Sequence, residues 1–115
     1  MSEWEYRYRA KVVKVIDGDT LDVDVDLGMR VVIRQRLRLF GINTPETYGV
    51  KRDTEEYKKG KVSKEYLVKI AEGKEVIIET HKDSTEKYGR YLAVMYIDDV
   101  NVGELLVSEG LAERY

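Results

Sequence analysis

The 115 residues carry 22 acidic and 20 basic side chains, the length of a single globular domain with a net charge of −2 that gives the whole molecule no pull on a polyanion. Cysteine is absent, which excludes disulfides, thiolate metal sites and cysteine nucleophiles together. No apolar run approaches the ~18 residues of a membrane helix, and no basic stretch leads into an apolar run at the N-terminus, so a cytoplasmic protein is expected unless a leader preceded the chain.

The first strand is expected from Tyr6 to about Val15, with Ala10, Val12 and Val13 as its apolar positions. Asp17-Gly18 then signals a tight turn. From Leu21 to Leu27 the alternation is strict, with Leu21, Val23, Val25 and Leu27 on one face and Asp22, Asp24 and Asp26 on the other. Gly28-Met29-Arg30 reads as the hairpin loop. The return strand, Val31 to Ile42, sets Val31, Ile33, Leu37 and Leu39 against Arg34, Arg36 and Arg38. A one-residue slip would flip every side chain, so only registers that match like faces are allowed. The register closing on that loop puts Asp24 opposite Arg34, Asp22 opposite Arg36 and Thr20 opposite Arg38. Arg34 and Arg36 then read as sheet pairing, whereas Arg38 lies beyond the acidic row, near Asp19.

After Asn43-Thr44-Pro45-Glu46-Thr47, residues 48–60 are polar and unperiodic and read as a mobile loop. A helix is expected over 61–71, with Val62, Tyr66, Leu67 and Ile70 at helical spacing and Gly73 as its stop. Strands follow over 74–80 and 90–97, joined by a polar turn at 82–89, and a last helix spans 102–109. His81, the one histidine, reads as an ordinary polar residue at a strand end. Three strands, a helix, two strands and a helix suit an α+β, mainly β fold: a five-stranded Greek-key barrel of the oligonucleotide-binding (OB) kind with two to three helices, in one domain over residues 1–115.

Three short motifs could carry chemistry, and each has an ordinary structural reading. Asp19 shares the parity of the core-facing set, where a carboxylate is costly unless it is paired or binds a metal, although a turn could rotate Asp17 and Asp19 into water. Thr44-Pro45-Glu46 spells a helix start, yet no apolar stripe follows it. Lys87-Tyr88-Gly89-Arg90 fits a hairpin turn with a solvated arginine.

Taken together, the motifs point further. Val15-Ile16-Asp17-Gly18-Asp19-Thr20-Leu21, Arg38 through Thr47, Lys87 to Arg90, and Gly103 to Ala112 occur in the order and spacing of the staphylococcal (micrococcal) nuclease family, which the chain resembles from about Ala10 to Ala112. The resemblance implies a calcium-dependent phosphodiesterase acting on DNA and/or RNA. It implies that Asp19 and the carbonyl of Thr44 ligate calcium, that Arg38 and Arg90 hold the phosphate, and that Glu46 activates or positions the attacking water. Lys87 and Tyr88 would line the nucleotide pocket, with Asp17 and Thr20 in support. Calcium takes carboxylate and carbonyl oxygens, which suits a chain without a His or Cys cluster.

The chain departs from the family in three ways. Asn43 stands where a second calcium-ligating aspartate is usual, so weaker calcium binding, or use of another divalent ion, is expected. The hairpin between the first two motifs is longer. Acidity overall contrasts with a polyanion substrate, and Lys51, Arg52, Lys58, Lys59, Lys61 and Lys64 offer either a local track for the backbone or a solvated face. The alternative reading is a catalytically weakened nucleic-acid- or protein-binding module on the same fold. A monomer is expected.

Overall fold

A computed structural model describes residues 6–47, 49–85 and 90–115, with side chains left out over 81–85. Strand β1 (Tyr6–Asp17) pairs antiparallel with β2 (Thr20–Asp26), and β2 with β3 (Val32–Leu39). On its other side β1 pairs with β5 (Glu75–Thr85), which pairs with β6 (Tyr91–Ile97). A short parallel ladder from Leu37 opposite Tyr91 to Leu39 opposite Ala93 joins β3 to β6 and closes five strands into a barrel. This is the mainly β, OB-like barrel with two helices that the element order implied. Strands β4 (Ile42–Asn43) and β8 (Glu113–Arg114) form a small separate ladder, and β7 (Val100–Asn101) extends the edge of β6.

The hairpin register is the one the alternation dictated: Asp24 opposite Arg34, Asp22 opposite Arg36, Thr20 opposite Arg38. Leu21, Val23, Val25, Leu37 and Leu39 are buried, but Leu27, Val31 and Ile33 are exposed, because the hairpin runs past the barrel wall. In β1 the register shifts between Val12 and Lys14 and again between Val15 and Asp17. These bulges let Val12 and Val15 both face inward, leave Val13 exposed, and turn Asp17 inward as well.

Helix α1 (Glu55–Ala71) starts six residues before the expected position. Thr54 caps it by accepting from the Tyr57 amide, and Glu55 and Glu56 suit the positive end of the helix dipole. The first turns looked like loop because their inward positions are small: Gly60, Ser63, Leu67 and Ala71 are buried, while Val62 is exposed. Strand β5 continues through 82–85, where a turn was expected; Glu86, Lys87, Tyr88, Gly89, Tyr48 and the His81 side chain lie outside the described residues. Helix α2 (Val102–Ser108) is capped by Asn101, whose side chain accepts from the Glu104 amide. Leu67 and Ala71 from α1 and Val102 and Leu106 from α2 join the barrel's core.

Candidate metal and phosphate site

Four stretches meet at the open end of the β2–β3 hairpin, away from its loop: the β1–β2 turn, the end of β3, the segment after β4, and Arg90 at the head of β6. The turn places Asp17 and Asp19 in the interior, each only 6% exposed, so neither is rotated into water. Thr44 is buried too, and 44–47 is not helical. The Thr44 amide donates to Asp19 Oδ2 at 3.3 Å, which ties the two motifs together across 25 residues of sequence. Thr47 Oγ1 donates to Asp17 Oδ1 at 2.8 Å.

Arg38 is pinned from several sides. Its Nη1 donates to the carbonyls of Leu39 and Ile42 at 3.2 and 3.1 Å, and its Nη2 donates to Asn43 Oδ1 at 2.9 Å. The same Nη2 lies 3.4 Å from Asp19 Oδ2, with the arginine side chain 13% exposed. The guanidinium also sits 5.6 Å from the centre of the Tyr115 ring. Arg90 Nη1 donates to Thr20 Oγ1 at 2.9 Å, and Thr20 Oγ1 passes its own proton on to Asp19 Oδ1 at 3.1 Å. Both guanidinium groups therefore reach Asp19, one directly and one through a hydroxyl.

Electrostatics add Glu46 to the group. Although Glu46 is exposed at the surface, partial desolvation pushes its carboxyl above the usual range, and the negative charges of Asp17, Asp19 and Glu56 push the same way, against a smaller opposing pull from Arg90. Burial also raises Asp17; the Thr47 hydroxyl opposes it and the Asp19 charge adds to it. Four carboxylates thus influence a space with two guanidinium groups, leaving a surplus of negative charge and of lone pairs.

The donor set suits a hard cation. It offers carboxylate, carbonyl and hydroxyl oxygens with no sulfur or imidazole, and Thr44 Oγ1 is buried with no hydrogen-bond partner among the described residues. Among those residues no three Asp, Glu, His or Cys side chains converge as a ligand cluster, so a cation here depends on amide or backbone oxygen as well. Asn43, expected at the metal, is exposed and gives its Oδ1 to Arg38. Lys87 and Tyr88 fall outside the described residues.

Two positions escaped sequence reasoning. A Cβ on Gly60 would lie 2.5 Å from the Pro45 carbonyl oxygen and 2.9 Å from that of Glu46, so α1 can pass beneath this loop only with glycine there. A Cβ on Gly18 would lie 2.9 Å from both Thr44 Oγ1 and Ser63 Cβ. Close approach to a backbone is what an isolated glycine in a helix signals, and that signal was available at Gly60. A groove of about 730 Å³ opens beside Glu46 with Lys58 and Lys59 on its wall, whereas Arg52, Lys61 and Lys64 line a different cleft. The basic run is therefore split between two surfaces.

An OB-like barrel with an oxygen-rich, guanidinium-flanked pocket at the open end of its β2–β3 hairpin defines the class. The family model for staphylococcal nuclease homologues matches residues 36–115. The chain is 38% identical to the thermonuclease of Staphylococcus hyicus over 102 residues, 89% of this chain and 56% of that protein. It is 38% identical over 101 residues to the thermonuclease of Staphylococcus intermedius (88% and 56%), and 34% identical over 99 residues to endonuclease YncB of Bacillus subtilis (86% and 44%). The chain belongs to the staphylococcal nuclease family. It spans about half the length of these curated relatives. Among the described residues no helix is long and apolar enough to cross a membrane.

Proposed function

We propose that this chain, acting as one nuclease domain, is a calcium-dependent phosphodiesterase that hydrolyses DNA and/or RNA by attack of water on the phosphodiester phosphorus. The observation carrying this reading is the burial of Asp17 and Asp19 side by side, next to two guanidinium groups and with Glu46 within electrostatic reach. Buried carboxylates in excess of their counter-charges raise the energy of the empty site, and a bound cation relieves that cost.

Asp19, Asn43 and the Thr44 carbonyl would hold the ion, with Asp17 and Thr20 supporting from behind. Calcium so held would polarise a phosphoryl oxygen and neutralise charge as the attacking bond forms. Arg38 and Arg90 grip the phosphate through planar forks that never lose their proton, and they stabilise the charge that grows on its oxygens. Glu46 takes the proton from the attacking water. Its raised affinity for that proton favours the transfer near neutral pH. Lys87 and Tyr88 contact the nucleotide. With Asn43 supplying no formal charge, calcium binds more weakly than to an aspartate, and other divalent ions are tolerated.

The test is incubation of single-stranded DNA and of RNA with the protein, in calcium or in chelator. Cleavage in calcium alone is expected, with about 10²–10³-fold loss on Glu46→Ala or Arg38→Ala. Calcium-independent cleavage, or full activity in both variants, contradicts the reading. Nucleic-acid binding without cleavage would assign the chain to a binding module.

A further inference from the structure

The β2–β3 hairpin extends past the barrel. Strand β2 ends at Asp26, opposite Arg9 of β1, so the overhang is the loop beyond it and the free edge of β3, which β6 covers only over Leu37–Leu39. On the overhang Leu27, Met29, Val31, Val32 and Ile33 are 41, 96, 47, 59 and 39% exposed. Tyr6 and Tyr91, at 40 and 37%, stand next to them. With Leu27 and Ile33 these tyrosines rim a cavity of about 220 Å³ in the barrel mouth, floored by Val25 and Leu37. Val32 lies on the opposite face of β3, in a cleft with Asp24 and Asp26; taking roughly 200 Å² for a fully exposed large side chain, the other six residues present about 600 Å² of largely apolar surface. A monomer rarely leaves more than a few hundred Å² of contiguous apolar surface bare, and one side of a stable interface covers about 800 Å².

We propose that the barrel mouth and the hairpin overhang form a two-fold interface with a second copy of this chain. The inference is independent of the nuclease reading, and it replaces the monomer expected from the sequence. In an isologous contact the same patch meets itself, so the patch must carry both knob and hole. Met29 is the knob. Gly28, Met29 and Arg30 all have positive φ (79, 51 and 64°), a backbone that costs energy at two non-glycine residues and holds Met29 out into water. The tip is fixed by hydrogen bonds from the Leu27 amide to the Val31 carbonyl and from the Val31 amide to the Gly28 carbonyl, both 2.9 Å. The mouth beside it is the hole. Charge fits the same arrangement: with the hairpins antiparallel, Arg30 of one copy meets Asp26 of the other, and both are exposed and outside any ion pair among the described residues. Asp24 and Asp22 are satisfied within their own hairpin by Arg34 and Arg36, so no row of like charges opposes the approach.

Sedimentation velocity over the micromolar range tests this. A species of twice the chain mass is expected, and Met29→Glu raises its dissociation constant about tenfold or more. At concentrations low enough for monomer the melting temperature of that variant should match the wild type, because Met29 is 96% exposed in the single chain. The chain has no cysteine, so Met29→Cys mixed with Leu27→Cys should form a mixed disulfide dimer under mild oxidation, because Leu27 rims the partner's mouth, while Met29→Cys mixed with Val62→Cys, on an exposed face of α1, should not. The chain mass at every concentration overturns the proposal. So does a dimer that survives Met29→Glu, or equal mixed cross-linking in the two mixtures.

Discussion

On one face of the β2–β3 hairpin Asp24 and Asp22 face arginines and Thr20 faces Arg38, yet the two ends of that row differ in chemistry. Toward the loop end Arg34 Nε and Nη2 grip Asp24 at 2.9 and 3.2 Å, and Arg36 grips Asp22 at 2.8 and 3.1 Å. Both arginines are more than half exposed. Each carboxylate has its fork, Lys11 and Lys14 face the same two aspartates from β1, and no carboxylate is left without a cation. The Arg36 hydrogen bonds hold Asp22 below the usual carboxylate range. At the open end, beside the β1–β2 turn, Asp17, Asp19 and Glu46 outnumber Arg38 and Arg90, and Asp17 and Glu46 are pushed up instead. Opposite charges at matching positions therefore do not define a site. Burial combined with a surplus of one sign does.

The largest test of this contrast is catalytic. Arg38→Ala and Glu46→Gln should each lower the initial rate of single-stranded DNA cleavage in calcium by about 10²–10³-fold. Arg36→Ala, two residues along the same strand face, should leave that rate within about twofold, as expected for an exposed pair worth little energy. Equal losses at both ends would erase the distinction.

Next in size is Gly60→Ala. Alanine gains about 1 kcal/mol of helix propensity over glycine, but here its Cβ strikes two backbone carbonyls of the Pro45-Glu46 segment. Overpacking of this kind costs ~1–3 kcal/mol. Urea unfolding should show a net loss, and the cleavage rate should fall because Glu46 is displaced. A stabilised, fully active variant would mean that the loop does not rest on the helix.

Asn43→Asp should tighten calcium binding several-fold in isothermal titration calorimetry. It restores a negative charge beside Asp19, although the new carboxylate is also held by Arg38. Unchanged affinity would place the cation away from position 43.

The smallest effects have opposite signs. In metal-free buffer Asp17→Asn should raise the melting temperature at neutral pH. The folded-state pKa of Asp17 lies above its ordinary 3.8, so its charged form costs stability above that raised value. The gain should fade as pH falls through the raised pKa toward and below 3.8. Asp22→Asn should lower the melting temperature slightly, because a depressed pKa contributes stability above 3.8 that is lost as pH falls through the folded value. Parallel pH profiles for the two variants would break the comparison.

The sequence made the ladder end readable because alternation and like-face pairing fix a register without tertiary information. It made the site end only partly readable. The nearness of Arg38 to Asp19 followed from counting along the hairpin, but the burial of Asp17 depends on a bulge in β1 that no residue type announces. The first turns of α1 were missed because Gly60 and Ser63 fill its inward face, so the apolar period that marks a helix is missing where the helix begins. Asn43 was readable as a departure, but not the capture of its side chain by Arg38, which depends on Ile42 and Asn43 pairing with the far C-terminal strand.

The most direct measurement is the calcium-induced change in melting temperature of the wild type, Asp19→Asn and Asp22→Asn side by side. A cation site at the open end of the hairpin predicts a rise with calcium in the wild type and in Asp22→Asn, and none in Asp19→Asn. A rise that persists in Asp19→Asn, or its absence from the wild type, would contradict the account.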